Sequence, residues 1–115
     1  MAVRDLFGLS GRVAVVTGGA GMLGLQHAAA VAEAGGRVVL ADLSPETERL
    51  ATALADEHGI DTLGVRVDIT RKMDVEAMAA AVVKEFGRID ILINNAALTV
   101  KGGGERADYF APFED

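Results

Sequence analysis

Residues 17–24 read TGGAGMLG, four glycines in eight positions. The apolar run RVAVV (12–16) precedes them and the alanine-rich LQHAAAVAEAGG (25–36) follows, so the glycines stand where a strand becomes a helix. Glycine loses more backbone entropy on folding than any other residue, and a cluster of four is costly unless the main chain needs it. A diphosphate is such a need, because it approaches backbone N–H groups closely and is favoured at the positive end of a helix dipole. The glycines divide the task. Gly18 turns the chain off the strand, Gly21 leaves room for the pyrophosphate, and Gly24 lets the helix pack closely on the sheet. Gly19 has no task in this scheme.

Outward from this loop the chain alternates between two rhythms. β-Branched runs predict strands at 12–17, 37–42, 63–68 and 88–94, and alanine-, leucine- and glutamate-rich stretches predict helices at 22–34, 45–58 and 71–86. The first, second and last strands are nearly continuously apolar, as expected of parallel strands covered on both faces. Ser44 and Pro45 read as an N-cap and a first-turn proline, and Gly35, Gly59 and Gly87 fall where left-handed residues end helices. The sum, β-α-β-α-β-α-β, predicts an α/β fold: a Rossmann-like, doubly wound parallel sheet in the order 3-2-1-4. It is partial, because the second half of such a sheet is not represented. The ligand crevice of that topology lies between strands 1 and 4. Residues 1–98 are therefore expected to form a dinucleotide-binding segment, and 99–115 a loop after strand 4.

Composition narrows the remaining possibilities. The 115 residues are half hydrophobic and 24% charged, with a net charge of −6 and no cysteine. That size suits one domain. The acidic balance disfavours a nucleic-acid partner, since no basic tract is present to release counterions. Without cysteine there is no disulfide, thiolate nucleophile or cysteine-based metal site. No apolar run is long enough for a membrane span, and the first twelve residues lack a signal-peptide pattern, so a cytoplasmic location is expected.

Asp42 closes the second strand, 18 residues beyond Gly24, where an acidic side chain can receive both hydroxyls of a cofactor's adenosine ribose. Its alternative role, capping the helix near Pro45, is already filled by Ser44. The carboxylate would repel a 2′-phosphate, and no Arg or Lys stands in GGAGMLG or directly after Asp42 to neutralise one. NAD is therefore expected in preference to NADP.

With these residues in view, the chain resembles the N-terminal half of the short-chain dehydrogenase/reductase family over about residues 6–98. The resemblance rests on LFGLSGRVAVVTGG (6–19), TGGAGMLG (17–24), VVLAD (38–42), VDIT (67–70) and NNAA (94–97), in that order. It implies that Asp68 contacts the adenine amino group, that Ile69 lines the base pocket, and that Asn94 and Ala96 lie beside the cofactor. Asn95 would fix the sheet. Gly18, Gly21, Met22, Leu23, Gly24, Asp42 and Leu43 complete the set of residues expected to bind the cofactor. The residues leave two plainer readings open: Asp68 as a strand end before a Thr70 helix cap, and the asparagines as a turn. Two positions depart from the usual motifs. Met22 replaces the middle glycine of T-G-x-x-x-G-x-G, giving the T-G-x-x-G-x-x-G spacing of the family's extended members, and Leu23 is expected to keep its apolar contact with the core. Ala97 replaces the last glycine of N-N-A-G.

The family's catalytic serine and Tyr-x-x-x-Lys pair find no counterpart. The sole tyrosine, Tyr109, is followed four residues later by Phe113, and it reads as an apolar anchor beside Phe110. His27 reads as packing at a helix margin, His58 as a complement to a helix dipole, and no metal-ligand spacing is present. No catalytic residue is assigned, and the chain alone is expected to be inactive. Strand 4 would form an apolar edge, which predicts self-association or a missing C-terminal half. Two alternatives stay open: a non-catalytic nucleotide-sensing or interaction module, and a fragment of a nucleotide-sugar epimerase or dehydratase.

Overall fold

In the computed structural model, which describes residues 8–95, the elements follow the expected order. They are β1 (Val13–Thr17), α1 (Met22–Glu33), β2 (Arg37–Asp42), α2 (Thr47–His58), β3 (Thr62–Arg66), α3 (Lys72–Phe86) and β4 (Ile91–Asn94). All neighbouring strands are parallel, in the order β3-β2-β1-β4. Chain order thus reverses between β1 and β4, which puts the crevice of a doubly wound sheet at their carboxyl ends.

Every residue of β1 is buried, as are the four central residues of β2. Their side chains alternate between two cores. On one face Ala14, Val16, Val38 and Leu40 pack against Ala28, Val31 and Ala32 of α1 and against Ala51 and Leu54 of α2. On the other, Val13, Val15, Val39 and Ala41 meet Met78 and Val82 of α3. Covering both faces is what the unbroken apolar runs require. Each fully buried valine or leucine contributes roughly 1.5–3 kcal/mol relative to its exposed state.

β4 departs from the expectation of cover on both faces. Ile91 and Ile93 pack on the α1–α2 core, but Leu92, directed to the α3 side, is 63% exposed. Among the described residues β4 is an edge strand, as its place in the order predicts.

Strand ends also moved, for identifiable reasons. The expected strand 88–94 begins only at Ile91, because Asp90 uses its side chain as well as its backbone to join β1. Its N–H donates to the Val13 carbonyl and its Oδ2 accepts the Val13 N–H, both at 2.9 Å. Arg88 grips the same carboxylate with Nε at 2.8 Å and a terminal nitrogen at 2.7 Å. At the other end of β3, the Val67 N–H reaches the Asp42 carbonyl at 2.9 Å before the chain turns away. Helix α2 starts at Thr47 and not at Pro45. Ser44 is therefore not the residue at its N-cap: it opens a preceding turn, its Oγ accepting the Glu46 N–H and its carbonyl accepting the Thr47 N–H. Gly35, Gly59 and Gly87 carry positive φ values just past the three helices, as predicted.

The Arg88 guanidinium, and then the Val13 N–H, hold the Asp90 carboxyl below its usual range. A carboxyl with a depressed folded-state pKa adds stability above its unfolded value of roughly 3.9, and that stability is lost as pH falls through the folded value. Asp90→Asn is therefore expected to melt below wild type at neutral pH, with the difference shrinking below about pH 4. Thermal melts of both proteins between pH 3 and 7 test this; a gap that is constant with pH would remove the ionised carboxylate from the account.

Candidate functional site

The glycine loop leaves β1 under tight control. Gly18 has φ +68°, a conformation that side chains disfavour, and its N–H donates to the Ala41 carbonyl at 2.8 Å. Gly19 has a task that the sequence reading missed. A Cβ on it would lie 2.9 Å from both Leu40 Cδ2 and the Val16 carbonyl oxygen, so only glycine fits between β1 and β2 there. A Cβ on Gly24 would collide with the Gly18 carbonyl oxygen and come within 2.9 Å of Gly19 Cα. The close packing that Gly24 permits is thus helix against its own loop, a correction to the expected helix-on-sheet contact.

Gly21 is different. It is the N-cap of α1, in extended conformation with φ −81° and ψ 166°, and offers no side-chain cap. A Cβ there would meet only the Gly18 carbonyl oxygen, at an ordinary 3.5 Å. The fold itself does not demand glycine at this exposed position. The first bond of the α1 ladder runs from Leu25 N–H to the Gly21 carbonyl at 2.9 Å, so the amides of Met22, Leu23 and Gly24 precede it. Met22 and Leu23 project outward, 81% and 55% exposed. Leu23 therefore does not keep the expected core contact; α1 buries Gly24, Ala28, Val31 and Ala32, and Leu23 lies off that stripe.

Asp42, at the end of β2, reaches across to this loop. Its Oδ2 accepts the Ala20 N–H and its Oδ1 accepts the Ser44 N–H, each at 3.0 Å. A carboxylate has about four acceptor positions, so two amides leave room for two hydroxyl donors. Leu43, next in the chain, is 62% exposed.

On the β4 side of β1 the two strand ends are tied by Thr17, which sequence reading did not single out. Thr17 stands level with Ala41 and with Asn94 in the sheet. Its hydroxyl donates to Asn94 Oδ1 at 2.9 Å and accepts the Asn95 N–H at 3.1 Å. The only local signal was a hydroxyl ending an apolar strand directly before glycine. Asn94 is exposed, and Asn95 ties to the sheet through its main chain.

Asp68 and Ile69 follow β3 at the same end of the sheet. Asp68 Oδ1 accepts both the Thr70 hydroxyl, at 2.6 Å, and the Thr70 N–H, at 3.0 Å. The Thr70 hydroxyl, then the Thr70 N–H and the charge of Arg71, hold the Asp68 carboxyl below its usual range. Thr70 is not the cap of α3; that position is Arg71, which makes no side-chain capping bond. Ile69 is half-buried against the α3 core and, with Val15, Thr17, Met78, Leu92 and Asn94, lines a groove of about 340 Å³. His27 is half-buried on α1, and His58, in the last turn of α2, has Nε2 3.5 Å from Glu57 Oε2. Among the described residues no three His, Asp or Glu side chains gather as a ligand set for a metal, and no helix is long and apolar enough to cross a membrane. Ala96, Tyr109, Phe110, Phe113 and the expected loop 99–115 lie outside the described residues.

A glycine loop between the first strand and helix, a carboxylate at the end of the second strand and an asparagine at the end of the fourth all lie at the carboxyl ends of the parallel strands. Residues 12–111 match the family model described as short chain dehydrogenase. The chain belongs to that family of oxidoreductases. A D-threitol dehydrogenase of Mycolicibacterium smegmatis is 43% identical over 93 residues, covering 80% of this chain and 35% of the relative. Two solved structures are similar. A xylitol dehydrogenase bound to NAD+ superimposes with TM-score 0.74 and 34% identity, over 78% of this chain and 35% of that one. An NADPH-dependent 3-quinuclidinone reductase from Rhodotorula rubra gives TM-score 0.81 and 37% identity, over 98% and 42%. The chain thus spans little more than a third of the length of the curated short-chain dehydrogenases that it matches.

Proposed function

We infer that residues 1–98 are the cofactor-binding part of an NAD-dependent oxidoreductase acting on an alcohol or carbonyl substrate. The observation that carries this reading is Asp42, whose carboxylate stands at the end of β2 against the glycine loop and retains acceptor capacity. The residues present suit a dinucleotide. Gly21 leaves open space that the fold does not use, and the amides of Met22, Leu23 and Gly24 lie at the N-terminal end of α1, where a pyrophosphate is favoured. Gly18 and Gly24 shape the turn beneath it, and Leu43 borders the ribose end. Asp68 and Ile69 wall the adenine end and Asn94 borders the cofactor's middle, a part also assigned from sequence to Ala96, outside the described residues.

NAD is preferred to NADP because Asp42 offers acceptors to two ribose hydroxyls and opposes the charge of a 2′-phosphate. Hydride transfer is the chemistry this cofactor supplies when bound; the chain's own residues hold and orient it. The similarity to enzymes named as dehydrogenases and reductases supports this reading over an epimerase fragment or a sensing module. The exposed Leu92 on the β4 edge supports completion of the sheet by further polypeptide or by a second copy. A soluble cytoplasmic location belongs to the same proposal.

Calorimetric titration of wild type and Asp42→Ala with NAD and with NADP tests it. Hydrogen bonds to a charged group are worth about 1.5–3 kcal/mol, so the variant is expected to lose roughly tenfold to a hundredfold in NAD affinity. Its NAD-over-NADP ratio should fall by a similar factor. Equal NAD affinity in the two proteins would take Asp42 out of the site.

A further inference from the structure

The glycine loop contains a bond that the ribose-binding role does not require. Of residues 18–21, three are glycine, the composition with the most backbone freedom to lose. Its start is tied to the sheet, since the Gly18 and Gly19 N–H groups both donate to the Ala41 carbonyl, at 2.8 and 3.4 Å. Its end is closed on itself by Gly21 N–H to the Gly18 carbonyl at 3.2 Å. Between these stands Ala20, whose N–H is held by a side chain from another strand, Asp42 Oδ2 at 3.0 Å. The carboxylate is itself aimed by its own turn, where Oδ1 takes the Ser44 N–H. An ionised acceptor strengthens such bonds relative to neutral ones.

We propose that Asp42 is also a positioning residue: its carboxylate fixes the middle of the glycine loop in the shape that presents the α1 amides, before any dinucleotide arrives. This rests on the reading above that the loop receives a dinucleotide, but it makes a separate claim. Asp42 then supports affinity for the pyrophosphate half of the ligand as well as for the ribose. A substitution that removes the carboxylate loosens the loop in addition to deleting sugar contacts. Asparagine cannot serve both amides, because its NH2 group would face one of them donor to donor.

Two probes separate the roles: NAD, and an NAD analogue lacking the 2′- and 3′-hydroxyls of its adenosine ribose. Asp42→Asn is expected to bind the analogue about tenfold more weakly than wild type does, although the analogue offers Asp42 no hydroxyl to hold. An amide-to-ester replacement at Ala20, which deletes the N–H and leaves Asp42 in place, should weaken both probes by a similar factor. Analogue affinities equal to wild type in both proteins overturn the proposal while leaving ribose recognition intact. Hydrogen exchange on the ligand-free full chain decides the matter independently of any binding. The Ala20 amide should exchange about tenfold faster or more in Asp42→Asn, with β1 and β2 amides unchanged, and an unchanged Ala20 rate overturns it. Failure of wild type to bind NAD at all would instead sink the proposed function.

Discussion

Gly24→Ala is expected to destabilise the protein by about 3 kcal/mol, lowering its melting temperature by roughly 10–20 °C. The added methyl would run into the Gly18 carbonyl oxygen and crowd Gly19 Cα, and both are backbone atoms that cannot rotate away. Relief requires either α1 to lift off or the loop to shift. The loop is pinned to β2 through Ala41 and Asp42, so α1 must give way, and with it the burial of Ala28 and Ala32. The neighbouring Gly21→Ala is the matched control. Its methyl meets only one atom, at 3.5 Å, so the loss should be no more than about 1 kcal/mol, the cost of alanine in place of glycine at an N-cap. Thermal denaturation followed by circular dichroism compares the two. Equal melting temperatures would mean that α1 does not rest on the loop as described.

This contrast marks what the sequence could and could not disclose. The alternation of apolar runs with alanine-rich segments determined the order of elements, and short parallel connections then left few topologies, so β3-β2-β1-β4 was legible. Positions that act through local chain geometry were legible as well. Gly18, Gly35, Gly59 and Gly87 all have positive φ where a turn or helix end called for it.

Roles that depend on a distant strand were not. Gly19 is needed because Leu40 lies beside it, and Asp90 leaves the strand pattern because its carboxylate serves Val13, 77 positions away. Thr17 joins the ends of β1 and β4 across a similar separation. The misjudged Leu23 has another cause. Met22, Leu23 and Leu25 are all apolar, so the start of α1 carries no clear phase from which to read the buried face. The core settles it by selecting small residues, Gly24, Ala28 and Ala32, where the helix approaches the sheet and loop most closely.

Gly21→Asp should move stability and ligand affinity in opposite directions. Gly21 already has the extended backbone that an N-cap residue adopts, and its Cβ direction is open. Aspartate is among the best N-cap residues and its charge favours the helix dipole, so the fold should gain about 0.3–1 kcal/mol. The capping carboxylate would satisfy amides of the first turn of α1, the same donors assigned to the pyrophosphate. A bound diphosphate would then lose those donors and face a like charge within a few ångströms. At an effective dielectric constant near 20, that repulsion is about 4 kcal/mol at 4 Å separation. NAD affinity should therefore fall by well over a hundredfold while the melting temperature rises. Gly21→Asn supplies the same cap without the charge and should lose roughly tenfold in affinity, isolating donor competition from repulsion. Calorimetry beside thermal melts provides both readings on the same samples. A Gly21→Asp protein that is more stable and still binds NAD like wild type would place the pyrophosphate away from the N-terminus of α1.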